Sequence, residues 1–101
     1  MEALVEIHTE EELEVALRVD AKIIGINNRN LKDFTEDLST FEHLASFCPS
    51  DKILVAESAI KSRVDANRML KAGAHAILVG ESLVLSNEVT DFAHQLMLIE
   101  N

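Results

Sequence analysis

Four short apolar runs, each rich in Val and Ile and each followed by a helix signal, constrain this chain more than any other feature. They are Ala3-Leu4-Val5-Glu6-Ile7, Lys22-Ile23-Ile24-Gly25-Ile26, Lys52-Ile53-Leu54-Val55-Ala56 and His75-Ala76-Ile77-Leu78-Val79. The runs are nearly continuous rather than alternating, which predicts strands covered on both faces, as in a parallel sheet. Thr9 with Glu12 and Ser39 with Glu42 fit capping boxes, and Pro49 stops the second helical segment. Ser62 with Asp65 opens a third helix, and Gly73 stands where a left-handed closing residue is wanted. Val89, Phe92, Ala93 and Leu96 form an apolar stripe on a closing helix. Strand followed by helix, four times over, builds right-handed crossovers. Two architectures use such units, an open doubly wound sheet or a closed eight-stranded barrel, and four units are half of the latter.

At 101 residues the chain reads as a single domain, 1–101, well short of the roughly 250 residues of a whole barrel. Its 48% apolar residues are enough to bury a core. Eighteen acidic residues against nine basic ones give a net charge of −9, which argues against nucleic acid or an anionic membrane as partner. No run approaches the roughly 18 apolar residues of a membrane span, and Met1-Glu2 lacks the basic start of a signal peptide. Cys48, a lone cysteine, points to a reducing cytoplasm and reads as an inert thiol. His8, His43, His75 and His94 show no metal-ligand spacing, so no metal site is expected. Glu10-Glu11-Glu12 reads as a solvated first helical turn, and Lys61, Arg68 and Lys71 as surface charges.

Polar groups gather at the carboxyl ends of the runs. The first carries Glu6, the second ends in Asn27-Asn28-Arg29, the third in Glu57-Ser58 and the fourth in Gly80-Glu81-Ser82. In parallel α/β folds that edge is where ligands bind. Polar residues also simply mark strand ends, but Glu6 and Glu57 continue buried runs, where an unpaired carboxylate is costly. Strand periodicity puts Leu4 with Glu6, Gly25 with Asn27, and Val55 with Glu57 on common faces. If those faces point inward, Glu6, Asn27 and Glu57 converge on one mouth, and the two carboxylates can divide acid and base roles. Arg29 adds a fork suited to carboxylate or phosphate. The turns Ser58-Ala59-Ile60 and Gly80-Glu81-Ser82 offer backbone amides for an anion.

The stretches Leu4-Val5-Glu6-Ile7-His8, Ile23 to Leu31 with its Ile-Gly-Ile-Asn-Asn-Arg block, Val55-Ala56-Glu57-Ser58-Ala59-Ile60 and Ala76 to Leu83 resemble, in order, the indole-3-glycerol phosphate synthase family. The resemblance is to the C-terminal half, strands five to eight of a (β/α)8 TIM barrel. It implies ring closure and decarboxylation of a carboxyphenylamino deoxyribulose phosphate in tryptophan biosynthesis, with no metal or organic cofactor. By the same resemblance Glu6 and Glu57 are catalytic carboxylates and Asn27 holds the substrate. Arg29 lies near the substrate carboxylate, and Ser58 contacts the substrate. Amides around Ala59, Gly80 and Glu81, with Ser82, take the phosphate. Three departures accompany it: the family's catalytic lysines belong to the first half barrel and no lysine here stands at a strand's carboxyl end; Ala59 replaces a usual glycine; and Asn30 replaces a usual aspartate.

A four-stranded half barrel leaves two unpaired edges and an uncovered aliphatic face. The expected partners are therefore a complementary N-terminal half or a second copy of the chain, alongside a phosphorylated small-molecule substrate. The alternative to an enzyme is a non-catalytic half barrel that folds and self-associates.

Overall fold

Among the described residues three helices form, where the chain supplies caps for them. In the computed structural model, which describes residues 3–80 and 82–85, α1 (Glu10–Arg18) opens on a full capping box. The Glu12 amide donates to Thr9 Oγ1 at 3.1 Å, and the Thr9 amide donates to the Glu12 carboxylate at 3.1 Å. Helix α3 (Arg63–Lys71) opens on Ser62, whose Oγ accepts from the Asp65 amide at 3.2 Å, and Gly73 follows it at φ 111°. Helix α2 (Ser39–Ala45) departs from expectation, because the Ser39–Glu42 box does not form. Asp37 takes the role instead, its Oδ1 accepting from the Ser39 amide at 2.9 Å and the Ser39 hydroxyl at 2.7 Å. A carboxylate two residues upstream reaches the first amides of the turn, so Glu42 is left to pair with Arg68 of α3. The helix also ends at Ala45, before Pro49 acts as a stop.

The strands β1 (Leu4–Ile7), β2 (Ile23–Asn27), β3 (Ile53–Glu57), β4 (Ala76–Val79) and β5 (Ser82–Leu85) form one sheet in sequence order. The first four pair parallel, and β5 returns antiparallel to β4 with Val79 opposite Ser82. This corrects the expectation of an all-parallel sheet whose fourth strand runs into a helix. Gly80, at φ 61°, allows a tight two-residue reversal, and Leu83, Val84 and Leu85 then alternate with the strand period. The closing helix expected around Val89 to Leu96 lies outside the described residues, as does Glu81. The result is an α/β fold with a mostly parallel sheet, consistent with part of a TIM barrel.

One side of the sheet holds the core. Ile7, Ile24, Ile26, Leu54, Ala56, Ile77 and Val84 pack in one cluster with Leu13, Ala16, Phe41, Leu44, Ala66 and Met69 of the helices. Helices α1 to α3 cover that face, while on the opposite face Val55 and Ala76 are also buried. On that opposite face Leu4, Ile53, Leu83 and Leu85 are exposed. Among the described residues no helix is long and apolar enough to cross a membrane.

Candidate functional site

Residues paired across a sheet share a face. Register places Glu6 beside Gly25 and Val55, and Asn27 beside Glu57 and Leu78, on the face away from the helices. The three residues singled out on periodicity therefore stand in two adjacent rows at the carboxyl edge. Their burial differs from expectation: Glu57 is only 4% exposed, whereas Glu6 is exposed, because β1 is an edge strand.

Glu57 occupies room that only a glycine leaves. A Cβ built on Gly25 would lie 2.2 Å from Glu57 Oε2 and 2.9 Å from Leu4 Cδ2. The carboxyl thus leans back over β2 toward Glu6, with Oε2 buried and lacking a hydrogen-bond partner. Burial first, and then the charge of the neighbouring Glu6, push the Glu57 carboxyl from 4.5 up to about 7. A carboxyl that keeps its proton near neutral pH thus sits against a solvated carboxylate. Such a pair can give and take a proton at one place.

Asn27 is buried, and its Oδ1 accepts from the Arg29 amide at 3.0 Å. Its backbone carbonyl accepts from His8 Nδ1 at 2.6 Å, which ties the end of β1 to the end of β2 and sets the ring's tautomer, since a carbonyl can only accept. Sequence reasoning gave no role to Asn28, yet it is fully buried and joins three elements. Its Oδ1 accepts from the Phe41 amide at 2.9 Å, its Nδ2 donates to the Ser58 carbonyl at 3.3 Å, and its own amide donates to the Glu57 carbonyl at 2.8 Å. The signal was in its parity, since Asn28 continues the helix-facing set Ile24 and Ile26, where a polar side chain needs partners.

The turn after β3 is strained. Ser58 and Ala59 both adopt left-handed backbone, at φ 66° and 65°. A Cβ costs roughly 1–2 kcal/mol there, partly offset by the greater freedom glycine has when unfolded. Ala59→Gly is expected to stabilise the chain by about 1 kcal/mol, read as a higher urea midpoint; a lower midpoint would show that the turn does not carry that strain. Asn30 accepts from the Lys32 amide at 2.8 Å through Oδ1. An amide oxygen serves that turn as an acid oxygen would.

Glu57 and the strained turn open on a cleft of about 310 Å³ lined by Arg29, Glu36, Glu57, Ser58, Ala59, Lys61 and Gly80, among others, whereas Glu6 and Asn27 are not in its lining. Ser82 is not in the lining: it is exposed at the start of β5, so the turn expected to aim it at an anion is instead a hairpin. Two further residues escaped the sequence reading. Glu36, unremarked there, accepts from Arg29 Nη2 at 3.0 Å and from Lys61 Nζ at 3.2 Å. Lys61, read as a surface charge, thereby reaches the rim of the cleft. Bonds from Lys61, then Arg29, hold the Glu36 carboxyl below its ordinary range. Among the described residues no group of three or more His, Cys, Asp or Glu could hold a metal ion.

The family model described as indole-3-glycerol phosphate synthase matches residues 1–96. Curated proteins of that name from Bacillus mycoides (strain KBAB4) and Azospirillum brasilense are each 46% identical, over 93 and 90 residues. Those alignments cover 91% and 89% of this chain but 37% and 34% of the relatives, so the chain spans a little over a third of their length. A third relative, from Bacillus cereus (strain ATCC 10987 / NRS 248), is 47% identical over 93 residues. A match that runs through all four strand motifs, on a sheet that brings their polar ends together, shows that the chain belongs to the indole-3-glycerol phosphate synthase family.

Proposed function

We propose that this chain is strands five to eight of a (β/α)8 barrel, one domain over residues 1–101, and supplies half of an indole-3-glycerol phosphate synthase active site. The single observation that carries the reading is the Glu57 carboxyl, buried over Gly25 beside Glu6 and opening on the cleft formed by the turns after β3 and β4. The reaction closes a ring and decarboxylates a carboxyphenylamino deoxyribulose phosphate in tryptophan biosynthesis, in the cytoplasm and without a metal or organic cofactor. Ring closure at a carbonyl needs a proton on its oxygen, and a carboxyl half-protonated near pH 7 is matched to that task. Glu57 is the proton donor, Glu6 the accepting carboxylate and Asn27 the substrate holder. Arg29 meets the substrate's carboxylate and Ser58 touches the substrate. The amides around Ala59, Gly80 and Glu81 take the phosphate.

The exposed Leu4, Ile53, Leu83 and Leu85 are the inner wall of the half barrel, and an N-terminal half barrel or a second copy covers them. Adding a polypeptide with the first four strand–helix units is expected to restore turnover from a chain inactive alone. Failure of that complex to form product would defeat the reading.

A second reading, a non-catalytic half barrel that self-associates, is favoured by Ala59, whose methyl sits in the strained turn where the phosphate would approach. Light scattering that shows a stable dimer which the other half barrel cannot open would support it.

A further inference from the structure

Glu36 stands between two cations that come from different loops. Arg29 follows β2 and Lys61 follows β3, and both bond the same carboxylate, at 3.0 and 3.2 Å. The cations are accessible, with side-chain exposures of 46% and 72%, whereas Glu36 is at 21%. An antiparallel backbone bridge sets Glu36 directly opposite Arg29. All three side chains line the cleft that also holds the turns of Ser58, Ala59 and Gly80. Convergence of a planar guanidinium and an ammonium on one small acid is the arrangement that recognises an oxyanion.

We propose that Glu36 is an internal competitor: its carboxylate fills the place of a ligand oxyanion, carboxylate or phosphate, between Arg29 and Lys61, making Lys61 an anion-binding residue of the cleft. The inference rests on reading the cleft as the ligand-binding edge. Accessible ion pairs are individually weak, so a ligand with more charge can displace Glu36. Glu36 is tethered beside its partners, however, so it competes at high effective concentration and lowers the affinity for anything entering. The site thus favours ligands that also reach the amides of the two turns.

The test titrates the full chain with inorganic phosphate and, separately, with benzoate, following the amide resonances of Ser58, Ala59 and Gly80. Glu36→Gln is expected to tighten binding of one of these anions roughly tenfold, and whichever anion gains identifies the oxyanion class. Adding Lys61→Ala to Glu36→Gln is expected to return most of that gain. If the wild-type chain binds an anion at those amides and Glu36→Gln binds both anions no tighter, the inference falls while the reading of the cleft stands. A gain that survives Lys61→Ala overturns the role of Lys61. If neither anion moves those amides in either protein, both the inference and the reading are overturned. Glu36 bonds only at the rim, so an unchanged spectrum elsewhere establishes that the variant is folded.

Discussion

Raising the pH from about 5 to about 8 is expected to cost this chain roughly 2 kcal/mol of stability, and Glu57→Gln is expected to remove that dependence. The sign follows from proton binding. Glu57 titrates near 7 when folded and near its ordinary 4.5 when unfolded, so between those values the native state holds a proton that the unfolded state has released. Stability therefore falls as pH rises through that window and levels off above about 7. The full shift corresponds to at most roughly 3 kcal/mol, and the window from about pH 5 to about 8 captures only part of it. The opposite sign applies to Asp20, held at about 2 by bonds from Lys22 and then Lys52, and to Glu42, held low by Arg68. Their contribution is present above the ordinary carboxylate range and is lost as pH falls through their lowered values. Urea unfolding at a series of pH values separates the two windows. Parallel curves for the wild type and Glu57→Gln above pH 5 would show that Glu57 is not held protonated. In the complemented barrel the same substitution is expected to lower turnover at least about a hundredfold, since it removes the proton donor.

Asn28→Ala is expected to cost roughly 3 kcal/mol, a large share of the stability of a domain this size. The substitution leaves the Phe41 amide and the Ser58 carbonyl buried without their side-chain partner, and it opens a gap beside Met69. Because Asn28 holds the Ser58 carbonyl, the loss also loosens the left-handed turn that lines the cleft. Denaturant unfolding gives the magnitude, and hydrogen exchange at the Phe41 amide gives the location. A loss below about 1 kcal/mol, or unchanged protection at Phe41, would show that these bonds are replaced by others.

Much of this structure can be read locally. The Thr9–Glu12 box and the Ser62 cap are contacts between residues three apart, so spacing suffices to foresee them. The pairing of Glu6, Asn27 and Glu57 on one face follows from strand parity in the same way. The Ser39–Glu42 box met the same pattern and failed, because Asp37 offered a competing acceptor to the Ser39 amide and hydroxyl. Asn28 and Glu36 went unread for a different reason. Their partners lie 13 to 41 residues away for Asn28 and 7 and 25 away for Glu36, and spacing carries nothing about such contacts.

The first four strand runs, the starts of α1 and α3 and the face on which each strand side chain emerges depend on backbone periodicity and nearby caps, and the linear order of residues was sufficient for those. Three properties had to wait for the folded sheet. The Glu57 proton depends on the space above Gly25 and on the charge of a neighbouring strand. The direction of β5 depends on Gly80 reversing the chain so that Val84 can join the buried side. The exposure of Leu4, Ile53, Leu83 and Leu85 goes with the packing of all three described helices on the other side of the sheet. Burial, charge proximity and strand partnership are properties of pairs distant along the chain, and only tertiary structure sets which pairs meet.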